Sequence, residues 1–313
     1  MVFFLIINFR HVIIIFIINQ QSINNALIIT NGLSSKLKNL DDNKFNSAVF
    51  EPLDNLGIKY DVINRPSESD LDILIEEDSL LVICGGDGTV TRIVDYAAKN
   101  SLSNILLPLP FGGANDIATG LYGSMTLENI ITAGTPNTAY TIETIVQKDN
   151  LKQKTIRALG YIVIGTSGHA AKAINSYRGE DITEFDVIAR VAQSALMCDS
   201  FTYLDSDNNE RTAAEILAIK HRMARYILAS EITTFNHEFI SIEMVNKIQM
   251  LGKFCLGLFG KATGQRIGKD QNQYIQTLSP TVLQADGESI NIEPRTKIII
   301  KNGPPINVMC IAK

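Results

Sequence analysis

Hydrophobic residues follow three patterns along this chain, and each predicts a different kind of structure. Met1 to Asn19 is almost continuously apolar, mostly Ile, Phe and Val, with Arg10 and His11 at the centre. From Ala26 to Gly134, short apolar runs alternate with stretches of helical period. Ala26–Thr30, Ile58–Ile63, Leu80–Cys84 and Ile105–Leu109 read as short strands, and Leu80–Cys84, five apolar residues with β-branched Val82 and Ile83, reads as a fully buried one. Between the first two, Phe45, Val49, Leu53 and Leu56 share one helix face, with Asp41 and Asp42 as caps and Gly57 as the stop. Ser67–Glu77 reads as a second helix, and Val90, Ile93, Val94 and Ala97 recur at helical spacing in a third. Strands alternating with helices predict an α/β unit around a parallel sheet.

After Gly134-Thr135-Pro136 the helical period fades. Tyr140–Val146, Thr155–Leu159 and Tyr161–Ile164 read as antiparallel strands. Phe201–Leu204 and Glu215–Lys220 flank the polar loop Asp205–Asn209 and suggest a hairpin. Further strands are expected at Tyr226–Ala229, Phe239–Met244, Thr281–Ala285, Lys297–Lys301 and Ile306–Ile311, with helical material in Gly168–Ile188 and Ile248–Phe259. The expected organisation is an apolar N-terminal extension (1–25), an α/β domain (26–138) and a mainly antiparallel, β-rich domain (139–313).

The N-terminal run fits neither of two familiar segments. A spanning helix would carry Arg10 at mid-membrane, at a cost of about 2.5–3.5 kcal/mol. A signal peptide would end at small residues, and Asn19-Gln20-Gln21-Ser22 is not such a site. It reads as an extension ahead of the domain, with a membrane-associating segment as the rival. The other bulk properties narrow the class. The 313 residues are 45% hydrophobic and 19% charged, which describes a globular chain, and the net charge of −5 with no basic run gives no case for nucleic acid. Cys84, Cys198, Cys255 and Cys310 form no C-x-x-C pair, which points to a reducing compartment and away from a thiolate zinc site.

Candidate chemistry begins where the Leu80 strand ends, at Gly85-Gly86-Asp87-Gly88-Thr89-Val90-Thr91. A strand, a glycine turn and a helix opening make a phosphate cradle: glycines allow close approach, and first-turn N–H groups face the anion. An aspartate there would repel phosphate unless a divalent cation stood between, so Asp87 reads as a Mg²⁺ partner or a proton handler, outside the core. A second turn, Pro110-Phe111-Gly112-Gly113-Ala114-Asn115-Asp116, follows the Ile105 strand. Both turns lie at carboxyl ends of strands, where ligands of such sheets bind. Asp286-Gly287-Glu288 closes the Thr281 strand and presents two carboxylates together. His169, His221 and His237 have no motif partners, and Asp181, Glu184, Asp186, Asp205 and Asp207 read as surface acids.

In this order and spacing, the three motifs resemble the catalytic domain of the diacylglycerol kinase and sphingosine kinase family, closest to its soluble bacterial lipid kinases, over residues 26–313. The resemblance implies a nucleotide-binding α/β domain, a β-rich substrate domain and an active site in the cleft between them. It implies ATP and Mg²⁺ as cofactors, a lipid substrate taken at a membrane surface, phospholipid metabolism, and a cytoplasmic or peripheral location. The first motif (Gly85 to Thr91) would bind nucleotide phosphates, and Gly112, Gly113, Asn115 and Asp116 would complete the pocket. Asn31 and Ser34 match the family's Asn-Pro-x-Ser-Gly turn, with Gly32 and Ser35 in place of its proline and glycine. Asp286 and Glu288 would supply the catalytic carboxylates, Glu288 as proton acceptor and Asp286 as metal or substrate orienter, or the reverse. Gly113 stands where the family carries threonine, which removes a hydroxyl worth about 0.5–1.5 kcal/mol toward a phosphate. Two other readings compete: a soluble-substrate kinase like the NAD kinases, which share Gly-Gly-Asp-Gly, and a catalytically weak nucleotide or lipid binder.

Overall fold

Every residue of Leu80–Gly85 is buried, because this strand has a neighbour on each side and a layer on each face. In a computed structural model of the chain, the residues described are 2–9, 12–19, 23–76, 78–113, 115–148, 152–175, 189, 193, 200–219, 238–242, 265–269, 272–286 and 288–311. The parallel core contains β3 (Asn25–Thr30), β4 (Lys59–Asn64), β5 (Leu80–Gly85) and β6 (Ile105–Pro110), in the order β6-β5-β3-β4. Ahead of it, β1 (Val2–Phe9) and β2 (Val12–Asn19) pair only with each other as an antiparallel sheet.

Side chains alternate across the parallel sheet, so each apolar run feeds two layers. Leu27, Ile29, Leu81 and Ile83 face Val90, Ile93, Val94 and Ala97 of α5 (Asp87–Lys99). Ala26, Ile28, Leu80, Val82 and Cys84 face the opposite layer, which holds Val49, Leu53, Leu127 and Ile130. That layer is built from α1 (Ser35–Lys38), α2 (Asp42–Phe45), a π turn at Asn46–Phe50, α3 (Glu51–Asn55), α6 (Asp116–Tyr122) and α7 (Leu127–Ala133). The expected amphipathic helix behind Asp41 is therefore a broken one, with Asp41 accepting from the Asn43 amide and Gly57 leaving at φ 69°. Before β5, α4 (Glu68–Leu74) starts with a reciprocal capping box between Ser67 and Asp70. Burying a side chain such as Ile83 or Leu107 contributes about 1.5–3 kcal/mol.

The second half is antiparallel, as its pattern predicts, but it is stitched into the first. β7 (Thr135–Lys148) pairs with β8 (Lys152–Ala158) and, along its whole length, with the last strand, β18 (Lys297–Cys310). The boundary expected between residues 138 and 139 falls inside β7. β18 also pairs in parallel with β6, through Asn307 and Val308, and so carries the sheet from one half into the other. Two separate strands were expected there; one bulged strand is found, with its register shift between Asn302 and Pro305. The bulge accommodates a proline that cannot donate to a ladder. Gly303 is required beside it, since a Cβ would lie 2.3 Å from Thr141 Oγ1.

After β8 the chain turns at Leu159-Gly160 into β9 (Tyr161–Gly165) and α8 (Thr166–Asn175). β9 belongs to a second sheet, ordered β14-β13-β12-β9-β16-β17, with β12 (Glu215–Ile219), β13 (Glu238–Ile242), β14 (Gln265–Lys269), β16 (Thr281–Ala285) and β17 (Glu288–Ile292). β10 (Phe201–Leu204), β11 (Glu210–Ala213) and β15 (Gln273–Thr277) extend the first sheet beyond β18. Ile142, Ile298, Ile300 and Phe201 of the first sheet meet Ile162, Ile164, Ile216 and Leu283 of the second in one apolar layer. The expected hairpin is corrected here: β10 pairs with β11, and β12 crosses to the other sheet. The reason is burial. β12 is buried at all five positions, as an interior strand must be, whereas β11 is exposed at its first three. The segments expected at Tyr226–Ala229 and Ile248–Phe259, and most of the helical material up to Ile188, lie outside the described residues. Among the described residues, no helix is long and apolar enough to cross a membrane.

Candidate active site

The two glycine turns lie against each other at the carboxyl ends of β5 and β6. A Cβ on Gly112 would stand 2.2 Å from Gly86 Cα, so the two backbones touch and neither side admits a substituent at Gly112. Asn115 closes the second turn: its Oδ1 accepts from the Gly112 amide and its Nδ2 donates to the Gly112 carbonyl at 2.7 Å. It does so from the left-handed region, at φ 56°, which asparagine tolerates better than most residues. Gly113 beside it is exposed.

Asn115 occupies the start of α6 but makes no side-chain cap. Asp87 supplies it instead. Its Oδ2 accepts from the Asp116 amide at 3.1 Å and its Oδ1 from the Ile117 amide at 3.1 Å. A carboxylate at a helix N-terminus meets unpaired N–H groups and the positive end of the dipole. Asp87 is thus buried and ties the first motif to the second, which departs from the expectation that it stands outside the core. Burial pushes its carboxyl up from the ordinary range, and the amides of Ile117 and Asp116 pull against that rise.

On the other side of the first turn, Thr89 Oγ1 accepts from Asn31 Nδ2 at 2.9 Å, and Thr89 lies where a Cβ on Gly85 would have to go. Asn31 Oδ1 in turn accepts from the Leu33 amide, and Ser34, buried, starts α1. Val90 was expected at the nucleotide; it is 2% exposed and turned into the apolar layer beneath the sheet. Thr91 points the other way along the helix, to the third motif.

Asp286 is the most enclosed acid of the site, with no exposed surface. Its carboxylate accepts from the amides of Leu159 (2.6 Å), Gly160 (3.1 Å) and Tyr161 (2.8 Å), and from Thr91 Oγ1 (3.2 Å). One side chain therefore joins α5, the corner between the two sheets and the end of β16. Four donors occupy its two oxygens, so the direct contact with metal or substrate expected of Asp286 is replaced by contacts within the protein. Desolvation raises its pKa to about 6 against the pull of those amides, with repulsion from Asp87 adding to the rise. Asp286 also has φ 40°, just after Ala285, whose cross-strand partner is Glu288. A positive φ at Asp286 is one that aspartate tolerates better than most residues.

Glu288, exposed at the start of β17, returns to the first motif: a Cβ on Gly88 would stand 2.7 Å from Glu288 Oε1. All three motifs thus meet in one place. Tyr161 is a site residue that carries no sequence signal, since it opens an unbroken apolar run. Gln284 Nε2 donates to its hydroxyl at 3.1 Å. Burial raises its phenol well above the ordinary value, helped by the charges of Asp116, Asp87 and Asp286.

Residues 25–150 match the profile described as the diacylglycerol kinase catalytic domain. Over this segment the chain is similar to that family. Solved structures with the same fold include three described as diacylglycerol kinases or putative ones from Bacillus anthracis. One is 14% identical at a TM-score of 0.61, and another 13% identical at 0.62; each comparison covers 90% of this chain and 96% of the other. A yeast NADH kinase complexed with NADH is 12% identical at a TM-score of 0.52, over 99% of this chain and 89% of its own. No curated protein matches in sequence. Over residues 25–150 the chain is similar to a kinase catalytic domain, and a resemblance to that family implies ATP as phosphoryl donor with a divalent cation.

Among the described residues, no group of three or more His, Cys, Asp or Glu side chains is arranged to hold a metal ion, so a cation here would rest on one or two carboxylates and the phosphates themselves. Asp87, Asp116 and Asp286 all act on the Tyr161 phenol, and Glu288 approaches from the second sheet, so acid is concentrated where a polyanionic nucleotide would bind. Asp87, with Asp116 next to it across the two turns, is where such an ion would be met, as for cations that take only one or two protein carboxylates.

Proposed function

We propose that this chain is an ATP-dependent lipid kinase that uses Mg²⁺ and transfers the γ-phosphoryl group to the hydroxyl of a diacylglycerol-like or sphingoid lipid at a membrane surface. The observation that carries this reading is the approach of Glu288, from the antiparallel half, to Gly88 in the phosphate turn. Phosphoryl transfer depends on positioning and charge neutralisation more than on covalent chemistry. The first turn of α5 offers backbone donors, and Thr89, already accepting from Asn31, keeps its own hydroxyl proton for a phosphate oxygen. Mg²⁺ would supply neutralisation of the phosphate charge beside Asp87 and Asp116.

A lipid alcohol has a pKa far above 7, so a carboxylate that accepts its proton as the new P–O bond forms lowers the barrier. Glu288 is placed for that role, exposed and against the phosphate turn. Asp286 acts through position: it anchors the strand end from which Glu288 projects. In this reading the α/β half (26–138) holds the nucleotide and the β-rich half (139–313) the lipid.

The likeness to the NADH kinase supports a second reading, a soluble dinucleotide as acceptor. One experiment separates them. The full chain is incubated with γ-labelled ATP and Mg²⁺, first with vesicles of mixed lipid extract and then with NAD or NADH. Label extracted into the organic phase is expected. Label on the dinucleotide would replace the lipid reading, and no transfer with ATP still bound would leave a nucleotide-binding relative.

A further inference from the structure

The loop after β3 begins with a glycine amide that has found a partner on the neighbouring strand. Gly32 N–H donates to Asn64 Oδ1 at 3.0 Å, and Thr30 Oγ1 lies 3.3 Å from the same oxygen. Asn64 is the last residue of β4, and it sits directly opposite Thr30 in the parallel register. The carboxamide thereby bridges the open ends of two strands. Glycine is the residue least able to hold a loop by itself, because its backbone has the widest choice of angles. The next residue back, Asn31, reaches Thr89 in the phosphate turn. A continuous series of contacts runs Asn64, Gly32, Asn31, Thr89.

We infer that Asn64 is a positioning residue for the nucleotide site: by capturing the Gly32 amide it orders the Asn31 loop, and through Asn31 it sets the Thr89 hydroxyl toward the phosphates. This rests on the ATP-binding reading above. No motif singled out Asn64, and it is an exposed residue whose truncation opens no core cavity. Gly32 leaves ordinary space around it, its nearest neighbour being Asn64 Nδ2 at 3.6 Å from an added Cβ.

The experiment combines ATP binding with amide hydrogen exchange. Asn64→Ala is expected to weaken ATP binding by about three- to tenfold, the range of one net hydrogen bond. It should also speed exchange of the Gly32 amide, while exchange at Ile28 and Ile29 stays slow. Asn64→Asp keeps the acceptor oxygen and should retain the slow Gly32 exchange. Proline has no N–H to donate, so in a Gly32→Pro background the further change Asn64→Ala should alter ATP affinity less than about twofold. Equal losses in both backgrounds would overturn the inference, as would unchanged ATP affinity in Asn64→Ala. If Gly32→Pro fails to fold, the contrast between Asn64→Asp and Asn64→Ala decides in its place. Absence of ATP binding by the unmodified chain would refute the functional reading instead, and the exchange data would then judge the loop on their own.

Discussion

Thr91 Oγ1 and Asp286 Oδ2 lie 3.2 Å apart across 195 residues of sequence, and the contact fastens the phosphate-turn helix to the third motif. The same hydroxyl is 2.9 Å from the Asp87 carbonyl, and a hydroxyl has one proton to give. That single proton is shared between the Asp87 carbonyl and the Asp286 carboxylate. The site is therefore held in shape by a buried acid that touches backbone on one side and a threonine on the other.

Thr91→Val keeps the shape of the side chain and removes that link. A stability loss of about 1–2 kcal/mol is expected in urea unfolding. Turnover should fall more than ATP affinity, because Glu288 loses part of its anchorage while the phosphate turn stays intact. Equal falls in both would place Thr91 at the nucleotide.

Asp87→Ala leaves two amides, those of Asp116 and Ile117, buried without an acceptor. Loss of phosphoryl transfer is accompanied in this prediction by about 2–4 kcal/mol of destabilisation. An unchanged melting temperature would show that the cap on α6 is dispensable and that Asp87 acts only at the cation.

The two glycine turns predict an asymmetric pair of variants. Gly112→Ala places a methyl 2.2 Å from Gly86 Cα and must displace backbone, so ATP binding is expected to be lost. Gly86→Ala meets Gly112 Cα at 3.2 Å and should cost far less. Gly113→Thr, on the exposed side, is expected to tighten ATP binding by about 0.5–1.5 kcal/mol by adding a hydroxyl. Isothermal titration with ATP on the three proteins orders them, and a Gly112→Ala protein that still binds ATP would argue against contact between the turns.

Glu215 is buried near the start of α8 and accepts from the amide and hydroxyl of Ser167, at 2.8 and 2.7 Å. Burial nonetheless pushes its pKa up to about 7. The folded state therefore holds this proton at pH values where the unfolded chain, with an ordinary glutamate pKa near 4.3, has released it. The stability it contributes is full below about pH 4 and declines as pH rises through about 7, by about 3–4 kcal/mol. Glu215→Gln should remove that part of the slope. Unfolding curves from pH 4.5 to 8 test this, and a wild-type-to-variant difference that stays constant across the range would disprove it.

How much of this was legible in the sequence depended on whether the signal was local. Period and punctuation along the chain determined the parallel core, since apolar runs of six residues and a 3.6-residue period each report on their own few neighbours. Glycines behind a buried strand likewise marked the phosphate turn, because close approach of backbone restricts residue type at the spot itself. Pairing across long separations carried no such mark. Only the tertiary structure decided that β12 leaves its expected partner for a second sheet, that Asp87 caps a helix of the other motif, and that Asp286 serves the protein's own amides. The first rests on burial of a wholly enclosed strand, and the other two on a buried carboxylate finding its partner in space. A residue such as Tyr161 or Asn64 carries no trace of that partner in its own neighbourhood.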